Sequence, residues 1–224
     1  MRSVVLLSAG LDSSLNLYEA MQNSEVLMAL TFDYGQRAAA QELKHARQLA
    51  QLLKIEHLEI KLEWMKNFGT SSLTNSALEI PTHQVRIDDL QTSQATAKSV
   101  WVPNRNGIFL NIAAGFAESL SADWIVPGFN IEEAATFSDN SQEFLTSLNQ
   151  SFFFSTSNHV QVKCFTTKLD KTQIVARGLE LHIDFNLIWP CYFAGPRPCA
   201  KCESCLRFVR ALHQNKLTTD WMKV

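Results

Sequence analysis

Charge of one sign is what this chain most lacks. Its 20 Lys and Arg residues face 22 Asp and Glu residues, a formal net charge of −2. So even a balance gives no overall electrostatic footprint for nucleic acid, and no stable nucleic-acid binding is expected; only a local patch is left open. Long apolar runs are missing as well. No segment approaches the roughly 20 apolar residues that span a bilayer, so no membrane association is expected. The apolar residues 4–7 stop at Ser8, so no secretory leader is expected either. Internal repeats and low-complexity tracts are absent. With reduced thiols and no leader, the expected location is cytoplasmic. Two nucleotide-binding signatures are also missing. There is no Lys of the G-x-x-x-x-G-K-[ST] kind and no complete G-x-G-x-x-G, which excludes a Walker A loop and argues against a dinucleotide fold.

Cysteine is scarce but concentrated. Four of the five cysteines are Cys191, Cys199, Cys202 and Cys205, a C-x7-C-x2-C-x2-C cluster; Cys164 stands apart and reads as a small buried hydrophobe. Four thiolates complete a tetrahedral shell around Zn2+, and a closed shell of that kind is structural. Gly195 permits a sharp bend, and Pro196 and Pro198 stiffen the approach. A cubane iron–sulfur cluster also uses four thiolates, and disulfides or unrelated buried thiols are the remaining readings.

The rest of the chain alternates between strand and helix patterns. Residues 4–8 (VVLLS) form a short branched apolar run suited to a buried parallel strand. A helix is expected over 13–22, a strand over 26–32, a helix over 38–53 and a short strand over 57–60. Residues 66–99 are rich in Ser and Thr without clear periodicity and read as a long active-site loop or lid. Asn104 or Asn106 can cap an apolar helix running to about residue 120. Further expectations are strands at 124–129 and 160–165, and helices at 141–154, at 170–181 with Thr167 as a candidate cap, and at 202–214. This order predicts an α/β fold: an open, mainly parallel sheet with helices on both faces and a small C-terminal four-cysteine zinc appendage. The expected division is an α/β domain over 1–185 and a zinc-binding segment over 186–224 packed on the same domain.

Ser8-Ala9-Gly10-Leu11-Asp12-Ser13-Ser14 directly follows the first strand and opens the first helix. Backbone N–H groups at such a helix start suit an anion, and the serine hydroxyls add donors. An ordinary strand–turn–helix capped by Asp12 or Ser13 fits the spacing equally well.

The loop resembles the SGGxDS signature of the pyrophosphatase-loop ATPases, with Ala9 in place of the usual second Gly. Three further segments narrow the resemblance: Phe32-Asp33-Tyr34-Gly35-Gln36-Arg37, Val102-Pro103-Asn104-Arg105-Asn106, and Trp189-Pro190-Cys191-Tyr192 leading to Cys202-Glu203-Ser204-Cys205-Leu206-Arg207. Together, in order and over nearly the full length, they resemble the QueC family of queuosine-precursor enzymes. The resemblance implies an adenine nucleotide alpha hydrolase-like fold and a homodimer. It also implies conversion of 7-carboxy-7-deazaguanine, ammonia and ATP to the corresponding nitrile, with Mg2+ neutralising the phosphates.

That resemblance assigns catalytic roles to Asp12, Ser13, Arg105 and Lys171. It assigns nucleotide contacts to Leu7, Ser8, Ala9, Gly10, Leu11, Asp12, Ser13, Ser14, Asp33, Tyr34 and Gln36. Substrate contacts fall to Arg105, Asn106, Asn130, Glu133 and Asp139, and structural zinc to Cys191, Cys199, Cys202 and Cys205. Arg105 is a natural partner for a carboxylate or phosphate, and Glu133 or Asp139 suits the N–H edge of a guanine-like ring. The methyl group of Ala9 is expected to stand close to the pyrophosphate. Pro190 stands where the family usually has Ser, and residues 131–138 depart from its aromatic and glycine pattern. A divergent enzyme joining a deazapurine carboxylate to another amine is therefore an alternative. A tRNA-thiolating enzyme and a non-enzymatic zinc module with a basic face at Arg197, Lys201, Arg207 and Arg210 are others. No glutaminase segment is visible, so free ammonia or an amine from another protein is the expected nitrogen source.

Overall fold

The computed structural model describes residues 1–82, 85, 87 and 89–222. Its strands are β1 (Arg2–Leu6), β2 (Glu25–Asp33), β3 (His57–Lys61), β4 (Trp124–Val126) and β5 (Gln161–Val162). Its helices are α1 (Leu11–Asn23), α2 (Ala39–Leu53), α3 (Leu90–Val100), α4 (Arg105–Ser119), α5 (Ile131–Ala134), α6 (Gln142–Ser155), α7 (Lys171–Glu180) and α8 (Glu203–Gln214). The strands pair in the order β3-β2-β1-β4-β5, and every pairing is parallel.

Alternation along β1 explains the layering. Val4 packs with Leu110, Ala113, Ala117 and Phe152 on one face of the sheet. Val5 packs with Leu17, Ala20, Ala46 and Leu49 on the other. Successive strand side chains point to opposite faces, so a doubly covered strand must be apolar at both positions. A third cluster joins Leu11 and Leu15 of α1 to Ile174 of α7 and to Phe208 and Leu212 of α8. The helix after the cysteines thus shares a core with the helix after β1. Among the described residues, no helix is long and apolar enough to cross a membrane.

Several boundaries differ from the sequence expectation for identifiable reasons. The strand expected over 124–129 stops at Val126 because Pro127 has no N–H to give to the ladder. Its neighbour β5 is correspondingly short. The stretch 66–99 is not one long loop: a 3-10 turn covers Glu63–Phe68, and α3 begins at Leu90. Part of that expectation, at residues 83, 84, 86 and 88, lies outside the described residues. Helix α7 is capped by Asp170 rather than Thr167, in a capping box with Gln173.

Strand order reverses at β1, where the chain departs to β2 on one side and returns as β4 on the other. In open α/β sheets the crevice at the carboxyl ends of such strands is where ligands bind. Asn16, fully buried on α1, secures this corner. Its Nδ2 donates to Asp12 O at 2.9 Å and to Thr166 Oγ1 at 2.6 Å, while its Oδ1 accepts from Phe165 N at 2.8 Å.

Candidate active site

Small side chains let the turn after β1 fold tightly onto α1. Ser8 N donates to Ser13 Oγ at 3.2 Å, the two serine hydroxyls lie 3.1 Å apart, and Gly10 N donates to Ser8 Oγ at 3.3 Å. Ala9 takes φ +58°, a left-handed conformation that favours glycine, and its carbonyl accepts from Trp189 N at 2.9 Å. Its methyl group is fully buried with Val5, Leu17 and Val126, under the sheet rather than on the wall of the crevice. The expected crowding of a pyrophosphate by Ala9 is not what the geometry places there.

Above this turn lies a cavity of about 220 Å³. Its walls include Leu7, Ser8, Gly10, Leu11, Asp12 and Ser13 on the turn, Tyr34 and Glu42 beyond β2, and Arg105, Asn106 and Phe109 on α4. Lys171 and the Trp189–Tyr192 segment complete it. A smaller lobe of about 120 Å³ adjoins it, lined by Trp101, Phe137, Asp139 and Arg207 among others; Arg105, Glu133, Asn140, Tyr192 and Ser204 border both.

Lys171 is the electrostatic centre. It is the first residue of α7, and the preceding Asp170 cap fixes the direction in which it points. Its ammonium donates to Asp12 Oδ2 and, at 2.7 Å, to Glu133 Oε1. Burial opposes the Lys171 charge, but the two carboxylates outweigh it and hold the ammonium protonated. Burial also pushes the Asp12 carboxyl up to about 6 against the pull of Lys171, since one ammonium serves two acids. For Glu133, half-open to the cavity, the Lys171 charge and hydrogen bond overcome burial and hold the carboxyl below its usual range. Asn130 is fully buried behind this group. Its Nδ2 donates to Asp12 Oδ2 at 3.2 Å and its Oδ1 caps α5 by accepting from Glu133 N at 3.0 Å.

Asp12 keeps one oxygen in reserve. Its Oδ1 is buried with no hydrogen-bond partner among the described residues. A carboxylate oxygen on a cavity wall is a hard ligand suited to Mg2+, which binds protein through one or two carboxylates plus substrate phosphates. The donor set fits that ion.

On the wall shared by the two lobes, burial works against the charge of Arg105, but Tyr34, Asp139 and Glu133 hold the guanidinium well above its ordinary value. Phe32 and Phe109 stack with centroids 4.2 Å apart and planes 12° from parallel, and Tyr34 tilts against Phe109 at 5.4 Å. Asp33 and Gln36 do not line the cavity. Asp33 closes the turn by accepting from Gly35 N at 3.0 Å. Gln36 braces it, accepting from Tyr34 N and donating to Phe32 O, each at 3.0 Å. Ser14 is likewise behind the wall, and Asn106 lies on it, with Asp139 on the smaller lobe.

Glu42 escaped the sequence reading. It sits in the first turn of α2, where an acid is ordinarily only a helix-dipole partner. Here it opens to the cavity and accepts from Gln36 Nε2 at 2.8 Å. Burial pushes its carboxyl up to about 7, against the Gln36 hydrogen bond and the Arg105 charge. The second omission is a buried ion network. Arg207 reaches Glu203 at 2.8 Å and Glu132 at 2.6 Å, and Arg210 reaches Glu132 at 2.6 Å. Arg207 and Arg210, placed by the zinc-module alternative on an open basic face, instead tie α8 to α5.

The four cysteine sulfurs of Cys191, Cys199, Cys202 and Cys205 lie within 4.8 Å of one another, and none forms a disulfide. Backbone N–H groups point at two of them. Cys191 Sγ accepts from Cys199 N at 3.3 Å and Phe193 N at 3.4 Å, and Cys199 Sγ accepts from Cys202 N at 3.3 Å. Such donors favour thiolates, the form that binds a metal. The group could therefore hold a metal ion.

The family described as Queuosine biosynthesis protein QueC matches residues 2–216. The chain is 56% identical over 210 residues to the 7-cyano-7-deazaguanine synthase of Bdellovibrio bacteriovorus, covering 93% of this chain and 91% of the relative. It is 48% identical over 212 residues to the synthase of the same name from Pelotomaculum thermopropionicum, covering 94% and 96%. Among solved structures, a 4-thiouridine synthetase–RNA complex with bound ATP aligns with a TM-score of 0.53 at 18% identity, over 95% of this chain and 50% of that one. At that identity the likeness is one of fold.

Proposed function

The chain belongs to the QueC family of queuosine biosynthesis proteins, and from that premise we propose that it makes 7-cyano-7-deazaguanine from 7-carboxy-7-deazaguanine, ammonia and ATP. The observation that carries this reading is the coexistence, on one cavity, of a turn rich in N–H donors, the Lys171–Asp12 pair and, on the wall made by α4, the Arg105 guanidinium.

A carboxylate is a poor electrophile, and its oxygen is a poor leaving group. Attack of the carboxylate oxygen on the α-phosphorus of ATP expels pyrophosphate and gives an acyl adenylate. Ammonia then adds to the carbonyl carbon, AMP leaves with that oxygen, and a proton is lost to give the amide. A second adenylation, of the amide oxygen, lets AMP carry away the remaining oxygen. Loss of the two N–H protons completes the nitrile.

The turn 8–14 would cradle the leaving pyrophosphate with backbone N–H groups and with Ser8 and Ser13. Lys171 would neutralise phosphate charge from its fixed place on α7. Asp12 would supply an oxygen to Mg2+, which when bound disperses the negative charge gathering on the departing pyrophosphate. Arg105 would orient the reacting carboxylate, and Asn106, beside it on α4, the ring system. Ammonia is itself a good nucleophile, so positioning rather than a strong base carries the amide step.

The four cysteines would hold one Zn2+. A tetrahedral ion with bonds of about 2.3 Å sets its sulfurs about 3.8 Å apart, compatible with the grouping within 4.8 Å. A four-iron cube would hold them further apart. The C-terminal segment from 186 is read as this zinc-bound appendage. A cytoplasmic homodimer completes the proposal; Phe153 and Phe154 at the end of α6 are exposed apolar surface available to a second copy.

Mass spectrometry of the products formed from magnesium-ATP, ammonia and 7-carboxy-7-deazaguanine tests the reading. Nitrile together with AMP is the expected result. AMP with amide alone would mean that the second activation lies elsewhere, and no turnover by folded, metal-loaded protein would refute the reaction.

A further inference from the structure

The acids of the larger lobe other than Glu42, and two acids of the smaller lobe, are already in ion pairs. Asp12 and Glu133 share Lys171, Glu132 pairs with Arg207 and Arg210, and Glu203 pairs with Arg207. Glu42 is different. It opens to the cavity, and among the described residues no Lys or Arg nitrogen forms a close ion pair with its carboxylate, the Arg105 charge acting on it from further off. The neutral amide of Gln36 donates to its Oε2, which leaves Oε1 to the cavity.

The carboxylate is also held still. Gln36 is locked from both ends, by Phe32 O and Tyr34 N, so the amide that grips Glu42 cannot turn away. Beside it stands the Phe32–Phe109 stack with Tyr34 against it, which offers flat aromatic surface to a planar ring. Arg105 lines the same cavity. A ligand matched to this wall is planar, carries adjacent N–H donors on one edge and carries an anion elsewhere.

We propose that Glu42 is the specificity-determining residue for the deazapurine ring: its carboxylate accepts the adjacent N–H and exocyclic N–H of a 2-amino-4-oxopyrimidine edge, while Arg105 holds the ligand's carboxylate. This rests on the function proposed above and adds the residue that reads the ring. Glu133, half of the Lys171 clamp, is thereby assigned to the phosphate end, and Asp139, whose carboxylate accepts from Asn140 at 2.9 Å, to the smaller lobe. The chemistry also separates the two nucleobases that visit the site. A guanine-type edge presents two donors side by side to an acceptor-only carboxylate. Adenine presents its amine beside a lone pair, which a second carboxylate oxygen repels.

The test uses the full, metal-loaded chain and two ligands, 7-carboxy-7-deazaguanine and the analogue lacking the 2-amino group. Calorimetric affinities are measured for the wild type, Glu42→Gln and Glu42→Asp, together with KM for ATP. The wild type is expected to prefer the amino ligand by about 10- to 100-fold, as suits one hydrogen bond to a charged acceptor. In Glu42→Gln that preference should shrink to about threefold or less, with KM for ATP changed by less than about twofold. Glu42→Asp should retain part of the preference. A variant that keeps the full preference overturns the assignment, as does a wild type that makes nitrile but does not distinguish the ligands. A rise in KM for ATP with ligand preference intact would hand Glu42 to the nucleotide instead. A wild type that neither binds nor converts 7-carboxy-7-deazaguanine would remove the underlying function as well, and is thereby distinct from failure at Glu42 alone.

Discussion

Gly128 lies against the backbone of Ser13 so closely that a Cβ built on it would fall 2.4 Å from the Ser13 nitrogen and 2.7 Å from the Asp12 carbonyl carbon. The residue after β4 and Pro127 therefore packs on the first turn of α1, where the N–H groups proposed to bind an anion are. No flexible side chain is available to yield, because the atoms in the way are main chain.

Gly128→Ala should push the turn after β4 off α1. Overpacking of this kind costs about 1–3 kcal/mol, which for a chain of this size lowers the melting temperature by roughly 2–4 °C per kcal/mol. Nucleotide affinity should fall more steeply than stability, since the displaced atoms belong to the turn proposed to hold phosphate. Thermal unfolding and ATP titration of the same variant check both. A variant with unchanged ATP affinity would mean that the turn does not contact phosphate.

Lys171→Met should leave Asp12 and Glu133 facing each other without a cation. Breaking a buried pair by removing one partner costs about 3–5 kcal/mol. The loss should be smaller below the Asp12 value of about 6, where that acid carries its own proton. Denaturant unfolding at two pH values measures the difference. Turnover should drop by at least about 100-fold, the scale associated with losing a fixed charge-stabilising donor. Restoring a cation at this position in Lys171→Arg should recover stability better than activity.

The apo protein should lose stability between about pH 4 and pH 7. Asp12 rises from 3.8 to about 6 and Glu42 from 4.5 to about 7, because burial disfavours their charged forms. Both bind protons more tightly folded than unfolded. Their contribution is complete below the unfolded values and is lost as pH climbs through the folded ones, by about 1.4 kcal/mol for each tenfold gain in proton affinity on folding. Glu133 works in the opposite direction, but its contribution is lost only at lower pH, below the ordinary carboxylate range. Stabilisation by magnesium-ATP should grow over the same interval in which apo stability declines, as Asp12 ionises. Melting temperatures with and without magnesium-ATP across this range provide the check, and Asp12→Asn should flatten both trends.

What was legible in the chain followed from local rules. Apolar runs at β1 and β2, the helix periodicity of α2 and the spacing of the four cysteines depend on neighbours in sequence. So does the turn 8–14. What was hidden depends on topology. Glu42 reads as a helix-start acid until Gln36 and the end of β2 are folded beside it. Arg207 reads as surface charge until α8 docks against α5 and buries it between Glu132 and Glu203. The orientation of Ala9 was also out of reach. Only the left-handed backbone at φ +58° shows that its methyl group turns under the sheet while its carbonyl meets Trp189. Helix α3 was missed because its Thr- and Ser-rich sequence, LQTSQATAKSV, carries weak propensity and is stabilised by tertiary packing of Thr96, Ala97 and Val100.

Metal removal should reach the proposed nucleotide site, although four thiolates would leave a bound ion no open position. Cys191 itself lines the large cavity, and two residues before it Trp189 N donates to Ala9 O in the anion-binding turn. On the other side of the centre, Cys202 caps α8, whose Phe208 packs with Leu11 and whose Arg207 reaches Glu132. One ion held by the four cysteines would thus anchor two walls. Elemental analysis should give one zinc per chain with no iron, and Cys164→Ser should leave that content unchanged. Chelation, or Cys205→Ser, should lower the melting temperature by more than about 10 °C, because structural zinc sites contribute folding free energy directly. Under milder conditions, where the sheet survives, ATP affinity should already have fallen. Retention of full ATP affinity by metal-free, folded protein would show that the Trp189–Ala9 link does not transmit order from the metal centre to the turn.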